Sequence, residues 1–566
     1  MFLAIMLERH PEVLELWRMG DSRRLRDRAD AAAPRIDDSR ARVLIIAIDG
    51  VRRDVLYPSL EAGELPGLAR LLGGRAEDAL RHAHLERSLS SVLPSDTIPN
   101  WASVFTGAPP GEHGLPGNEV FVRERLDLVA PIPVSFGDVT PVLETYTDDY
   151  VDRHLEVPTV YQRLREREPQ IRIWVTASQV HAGADRLLLA NRSAFAQALA
   201  TRIEDALGES TARSLYAEVD EELAGNLIEE LGSAPLPDVL TLYLPGADLF
   251  AHHVRHGAST PAEIGPPHST DAAQRSYLRE VLDPLFGALH DRLADRSDLS
   301  EWYVLVLSDH GHTELIDDAE HALFAHGDRA PPLALLRAAG FRTRSLGLEA
   351  EADDFQAVLA AQSGMAFVYL ADRTTCAPEG ERCDWTAPPR FEQDVLAVAD
   401  AFHRASREGA LVAELRGTID LVLARRPRPH AENDLPLEVY VGDGRLEPVD
   451  TYLAREPRPD YPHFERRLRE LATGRRGERA GDVVLVAAGT GDAPIEQRVR
   501  FARPQRSGHG SPARSDVEVP LILARAGHER AALEALVQRA LGHAPSHANV
   551  AALIERLREA PPAEVR

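Results

Sequence analysis

The chain has 566 residues, 44% of them hydrophobic and 27% charged, enough to bury a large core and to form two to four domains or one large domain with an insertion. Its formal net charge of −25 excludes broad binding to a nucleic-acid polymer or to an anionic membrane face, because a polyanion meets long-range repulsion. All 64 basic residues are arginine, which excludes Schiff-base lysine chemistry and a phosphate-loop lysine. If the substrate is itself anionic, a strong local cation is required, and a bound metal supplies one.

In chain order, the first twenty residues, MFLAIMLERHPEVLELWRMG, contain a short apolar run broken by Glu8, Arg9 and His10, which is neither a convincing signal peptide nor a membrane span. No apolar run of spanning length follows, and localisation is not legible. Residues 1–40 are Arg- and Asp-rich and read as an extension. Residues 43–48, VLIIAI, form a continuous apolar run of strand length, as in a parallel sheet buried on both faces, and the run ends in Asp49-Gly50. The stretch PSDTIPNWASVFTG, residues 94–107, reads as a loop entering a short helix, with Pro99 in the first turn and Gly107 at the end. Capping alone accounts for a hydroxyl residue such as Thr97 there.

Tyr146, Tyr150 and Tyr161 can stack a base or simply pack. Further strand runs occupy 171–176 and 239–244, the second followed by Asp248 and His252 at the i, i+4 spacing that points both side chains one way on a helix. Leu278, Val281, Leu282, Leu285, Phe286, Leu289 and Leu293 mark a helix around 272–293, kinked or broken at Pro284. The run at 302–307 ends in Ser308-Asp309-His310-Gly311-His312.

Residues 330–480 are richer in Pro and Arg. They carry their own strands (366–370, 437–441) and a helix near 391–405, as an inserted cap would. Cys376 and Cys383 fit a local disulfide in an oxidising compartment, or two free thiols. The chain is expected to rejoin the main sheet near 482 with the runs 483–488 and 519–523, then to end in two helices marked by Leu533, Leu536, Val537 and Leu541 and by Val550, Leu553, Ile554 and Leu557. The expected fold is α/β, a mostly parallel central sheet with helices on both faces and an inserted α+β cap. The expected division is 1–40 extension, 41–330 core, 331–480 cap, and 481–566 return to the core with C-terminal helices.

Ligands of open α/β sheets bind beyond the carboxyl ends of the strands. Three strand ends deliver Asp49, Asp248 with His252, and Asp309 with His310 to one edge. Asp-Gly alone is usually a turn and Asp-His-Gly a loop; their convergence is what points to zinc or a similar divalent ion. His253, His256, His312, His321 and His326 are left outside the site, and His113 is taken as structural.

Asp49-Gly-Val-Arg-Arg-Asp-Val-Leu56, Thr97-Ile-Pro-Asn100 ahead of Phe-Thr-Gly107 and Gly-Glu-His-Gly114, Asp248-x-x-x-His252, Ser-Asp309-His310-Gly311 and Ser-Gly-His509-Gly occur in the order seen in the alkaline phosphatase superfamily. The set most resembles its type I phosphodiesterase/nucleotide pyrophosphatase branch, over residues 43–330 and 482–525. The resemblance implies two zinc ions, one held by Asp248, His252 and His509, the other by Asp49, Asp309, His310 and Thr97. It also implies Thr97 as nucleophile through a phospho-threonine, Asn100 as donor to a non-bridging oxygen, and a small phosphate ester as substrate.

Departures are Ala247 and Ala251 around the Asp-His pair, His312 where Met is frequent, and Asp96 where nucleotide pyrophosphatases often carry Lys. Asp96 is expected to repel phosphate unless it faces away or binds an arginine, with Arg52 and Arg53 as candidates for that partner or for direct phosphate contact, or else as solvated surface charges. Alternatives are a phosphomonoesterase, which Asp96 favours because alkaline phosphatases proper have an acidic residue in that place, a phosphonate hydrolase of the same superfamily, and a non-catalytic binding protein of this fold.

Overall fold

A computed structural model describes residues 24–27, 40–76, 79–138, 140–190, 212–253, 269–350, 352–376, 382–427, 435–489 and 492–559. Its strands are β1 (Arg24–Asp27), β2 (Arg42–Ile48), β3 (Ala83–Glu86), β4 (Ile173–Thr176), β5 (Arg186–Leu188), β6 (Val239–Leu244) and β7 (Trp302–Leu307). Beyond these come β8 (Ala357–Gln362), β9 (Met365–Leu370), β10 (Ile419–Arg425), β11 (Leu437–Gly442), β12 (Arg445–Glu447), β13 (Val483–Ala487) and β14 (Leu521–Ala524).

The apolar run at 43–48 becomes β2. Val43, Ile45 and Ala47 pack into one core and Leu44, Ile46 and Ile48 into another on the opposite face. Each fully buried Leu or Ile stabilises the fold by on the order of 2 kcal/mol, which is why such a run settles in the sheet centre. The eight-stranded sheet runs β1-β5-β4-β6-β2-β7-β14-β3. The strands from β5 to β7 are parallel, and β14 and β1 pair antiparallel with their neighbours. In register, Leu244 lies beside Ile48 and Leu307 beside Ala47, so three chains leave the sheet at one level of one edge. Part of the expected N-terminal extension is thus an edge strand, β1, paired with β5.

Helices α1 (Thr97–Thr106), α2 (Ala212–Ser233), α3 (Gly246–His253), α4 (Asp283–Arg296), α5 (Arg530–Leu541) and α6 (Val550–Glu559) are the ones that matter below. Side chains of α1, α5 and α6 fill the core on one face of the sheet, while α4 and the C-terminal half of α2 fill the other. The helix expected over 272–293 is present but interrupted. A single wide turn over Leu278–Leu282 joins Thr270–Tyr277 to α4, where Pro284, lacking an N–H, occupies the first turn.

The second sheet has six strands, β8-β9-β13-β10-β11-β12, all antiparallel. This corrects one expectation, because the run at 483 does not rejoin the main sheet. As β13 it lies between β9 and β10, and the main sheet resumes only with β14, antiparallel to β7. The physical reason is that Val483, Leu485 and Ala487 are buried on one face and Val484 and Val486 on the other, so the run reads the same in either sheet. Cys376 and Cys383 are joined as a disulfide. Among the described residues no helix is long and apolar enough to cross a membrane.

Candidate metal centre and nucleophile

The edge where β2, β6 and β7 end carries the chemistry. Asp49 continues β2, its N–H donating to Leu244 O at 3.0 Å, and the chain then turns at Gly50 with φ of +68°. A Cβ at Gly50 would stand 2.7 Å from both Asp248 Oδ1 and His312 Nε2, so the turn needs glycine for space as well as conformation. The Gly50 N–H donates to Asp309 Oδ1 at 3.0 Å, tying the end of β2 to the residue after β7. Asp248 and His252 project from α3. His509 follows a two-residue strand, Ser507–Gly508, that pairs antiparallel with Thr313–Glu314.

Thr97 opens α1 but does not cap it. Asp96 holds the N-cap position, with no side-chain capping bond. The Thr97 hydroxyl instead lies 3.2 Å from His310 Nε2. His310 donates from Nδ1 to Gly311 O at 3.0 Å, which leaves the Nε2 lone pair facing outward. Around that nitrogen, at 3.4 Å each, stand Asp49 Oδ1 and Asp309 Oδ2. Both oxygens are buried and have no hydrogen-bond partner. Buried carboxylate oxygens without donors, converging on an imidazole lone pair, make a cation cradle.

The other expected ligands form an adjoining group. Asp248 Oδ1 is 3.3 Å from His252 Nε2 and 3.8 Å from His509 Nε2, and the two imidazole nitrogens are 3.2 Å apart. His252 donates from Nδ1 to Ser507 O at 2.7 Å, so it too presents Nε2. The His310 and His509 rings stack with centroids 3.7 Å apart, which joins the two groups. Asp49, Asp309 and His310 form one group able to hold a metal ion, and Asp248 enters others with His252, His310, His312 and His509. The mixed oxygen and nitrogen donors fit zinc or a similar divalent ion.

The electrostatics agree. Burial, then the neighbouring Asp309 and Asp248 carboxylates, push the Asp49 carboxyl well above its usual range, and burial pushes Asp309 up to about 8. Burial also raises Asp248, but His252 and His312 outweigh it and hold that carboxyl well below its usual range. Burial depresses His310 to about 3, and burial with His310 nearby keeps His509 well below the ordinary imidazole range. His310 and His509 are thus neutral and ready to ligate, while Asp49 and Asp309 lack the positive charge that would let them ionise together.

The structure corrects three expectations about neighbours. Asn100 does not face the nucleophile. Its Nδ2 donates to Pro94 O and Asp96 O at 3.1 and 2.7 Å, and its Oδ1 accepts from Val92 N–H at 2.8 Å and from His547 Nδ1 at 2.7 Å. One turn into a helix, the amide is captured by the loop carbonyls behind it. Asn118 is the asparagine beside Thr97. Its Oδ1 accepts from Ile98 N–H at 3.0 Å, and it shares a cavity wall with Thr97, His252 and His509. In Gly-Asn-Glu it reads as a turn residue, which hid it.

His312, expected outside the site, forms with Asp248 and His252 a group able to hold a metal ion. Fully buried, it lies 2.8 Å from Asp248 Oδ1 through Nε2 and 3.0 Å from Ser507 Oγ through Nδ1. The i, i+2 spacing from His310 after a strand was the available signal. Asp96 turns its carboxylate to His509, accepting from Nδ1 at 2.8 Å. Its partner is therefore an imidazole and not Arg52 or Arg53. Arg52 pairs with Asp54 and Asp271, and Arg53 with Glu518.

His113 is structural as expected, its Nε2 3.1 Å from Ser103 Oγ. His321 pairs with Asp318. His256 and the side chain of His253 lie outside the described residues. Tyr161 is buried with its hydroxyl on Thr241, and Tyr150 packs on His154. Tyr146 lines a cavity that opens at Thr97.

Residues 43–326, half of the chain, match the family described as type I phosphodiesterase / nucleotide pyrophosphatase. Among solved structures, wild-type alkaline phosphatase PafA aligns with a TM-score of 0.53 at 14% identity, covering 94% of this chain and 97% of that one, a likeness of fold. Phosphonoacetate hydrolase from Sinorhizobium meliloti 1021 aligns with a TM-score of 0.45 at 18% identity, covering 94% and 98%. Murine ectonucleotide pyrophosphatase / phosphodiesterase 5 gives 0.48 at 12% identity, covering 93% and 97%.

Proposed function

The chain belongs to the type I phosphodiesterase/nucleotide pyrophosphatase family, and from that premise we propose that it hydrolyses small phosphodiesters at a two-cation centre with Thr97 as nucleophile. The observation that carries this reading is the Thr97 hydroxyl, 3.2 Å from His310 Nε2 and beside carboxylate oxygens of Asp49 and Asp309 that have no other partner. Asp49, Asp309, His310 and Thr97 would hold one cation and Asp248, His252 and His509 the other, and zinc suits the donors. Such a pair of cations supplies charge that holds the phosphoryl group, acidifies the hydroxyl and stabilises the departing oxygen.

The chain's own residues do the rest. Thr97 Oγ forms a bond to phosphorus as its proton passes to solvent, while the bond from phosphorus to the departing oxygen breaks on the opposite side and the released alkoxide takes a proton from water. Water then cleaves the resulting phospho-threonine. α1 begins at Thr97, so its dipole favours the anionic phosphoryl group. Asn118 takes the role first expected of Asn100, its amide nitrogen available to a non-bridging oxygen. His509 keeps its ring orientation through Asp96, and Asp248 is flanked by His312.

With Asp96 turned to His509, the feature that favoured a phosphomonoesterase is accounted for otherwise. The test is turnover of bis-p-nitrophenyl phosphate against p-nitrophenyl phosphate by the zinc-loaded protein. A preference for the diester is expected, and a strong preference for the monoester would overturn the diesterase reading.

A further inference from the structure

Two cavities meet at the nucleophile. Both are bordered by Thr97, Ile132, Val142 and Asp248, and beyond these their linings differ. The second, of about 120 Å³, sets Asn118, His252, Arg503, Gln505 and His509 among apolar residues such as Val134 and Phe136. The first, of about 100 Å³, is lined mainly by apolar side chains, among them Ile132, Val142, Tyr146, Leu189, Val219 and Leu223.

The first cavity has almost nothing to offer a polar ligand away from its mouth. Among the described residues no cationic side chain lines it, and its carboxylates, Asp49 and Asp248, are those of the proposed metal centre. Its remaining polar side-chain groups are turned to protein partners. Thr145 Oγ1 donates to Pro141 O at 2.9 Å and Tyr146 OH to Ala177 O at 2.7 Å. Gln179 Nε2 donates to Tyr243 OH at 2.8 Å, and Tyr243 OH in turn to Asp49 Oδ2, while Gln179 Oε1 is the exception, buried and without a hydrogen-bond partner. A site built to read a nucleobase presents hydrogen-bonding groups to its edges, and leaving such edges unmatched costs affinity.

We infer that the substrate is an unsymmetrical phosphodiester, one arm of which is an uncharged apolar group seated between Tyr146 and α2, the other arm being polar and lying toward Arg503. This deepens the phosphodiesterase reading and rests on it. Two lobes at one phosphoryl position match two ester arms. An apolar wall gains affinity in proportion to the area it takes from water.

The test is calorimetric binding of methyl phosphate, butyl phosphate and hexyl phosphate to the zinc-loaded protein, with adenosine monophosphate alongside. Affinity is expected to rise roughly threefold per added methylene, a figure that follows from apolar burial, and hexyl phosphate is expected to exceed adenosine monophosphate. Leu189, half-buried and on the apolar wall only, provides the variant. Leu189→Glu is expected to reduce hexyl phosphate to the level of methyl phosphate while methyl phosphate binds as before, and Leu189→Met to keep the chain-length dependence.

Methyl phosphate binding with no dependence on chain length, or tighter binding of adenosine monophosphate than of hexyl phosphate, overturns the apolar arm and leaves the metal-centre reading standing. Failure of every phosphate to bind the zinc-loaded protein overturns both.

Discussion

Asp96 sits directly before the nucleophile, yet its carboxylate is spent on His509 Nδ1, 2.8 Å away. A carboxylate on the far nitrogen of a ligating imidazole fixes the ring and raises its basicity, and its loss typically weakens metal affinity by roughly 10–100-fold. Asp96→Ala should therefore loosen zinc by about that factor in a competition titration with a chromophoric chelator, with thermal unfolding of the metal-free protein little changed. Unaltered zinc affinity would assign Asp96 to packing alone.

A second residue-scale consequence concerns Asp309, whose carboxyl burial pushes up to about 8 in the metal-free protein. Only the ionised form ligates a cation, so binding below that pH displaces a proton. Zinc affinity should therefore tighten as pH rises from 6 to 8, by up to about tenfold per unit, and flatten above. Affinity independent of pH across that window would contradict the protonated metal-free state.

At the scale of elements, the second sheet builds the site as well as flanking it. The tip between β8 and β9 reaches the metal centre. Gln362 Oε1 accepts from Asn118 N–H at 2.8 Å, and Gly364 N–H donates to His509 O at 2.9 Å. A Cβ on Gly364 would stand 2.2 Å from Ser511 N, so backbone must move to admit it. Gly364→Ala is expected to cost about 1–3 kcal/mol of stability and to displace the loop carrying His509. Metal analysis of the purified variant should then show less than the wild-type zinc content, and a full complement would mean the tip is a bystander.

The elements also show what sequence can carry. Apolar runs and i, i+4 spacing are local, so β2, β6, β7 and α3 were legible, and with them Asp49, Asp248, His252, Asp309 and His310. The sheet that β13 joins depends on partners far along the chain. The orientation of Asn100 and Asn118 depends on which carbonyls fold beside them, so the periodicity at 483 and the helix signal after Thr97 were silent on both.

Across the whole molecule, a chain of net charge −25 collects three carboxylates and four imidazoles at one sheet edge, all of them buried. Left without a cation, such a cluster opposes folding, because each ionised carboxylate loses hydration without compensation. Ions that bind only the folded chain stabilise it by mass action, by about 4 kcal/mol per site at a thousand times the dissociation constant. Chelation should lower the melting temperature by several degrees and zinc should restore it, read by calorimetry with and without chelator. An unchanged transition would indicate that the cluster binds no metal of consequence.

The central claim is covalent, that Thr97 carries the phosphoryl group between the two steps. The direct measurement is acid quench of the zinc-loaded protein during diester turnover, followed by mass spectrometry of the peptide containing Thr97. The account predicts a phosphoryl group on Thr97, absent from Thr97→Ala, which should bind zinc and lose about a thousandfold or more in turnover. A Thr97 peptide that never carries phosphate while turnover proceeds, together with full activity of Thr97→Ala, would contradict it.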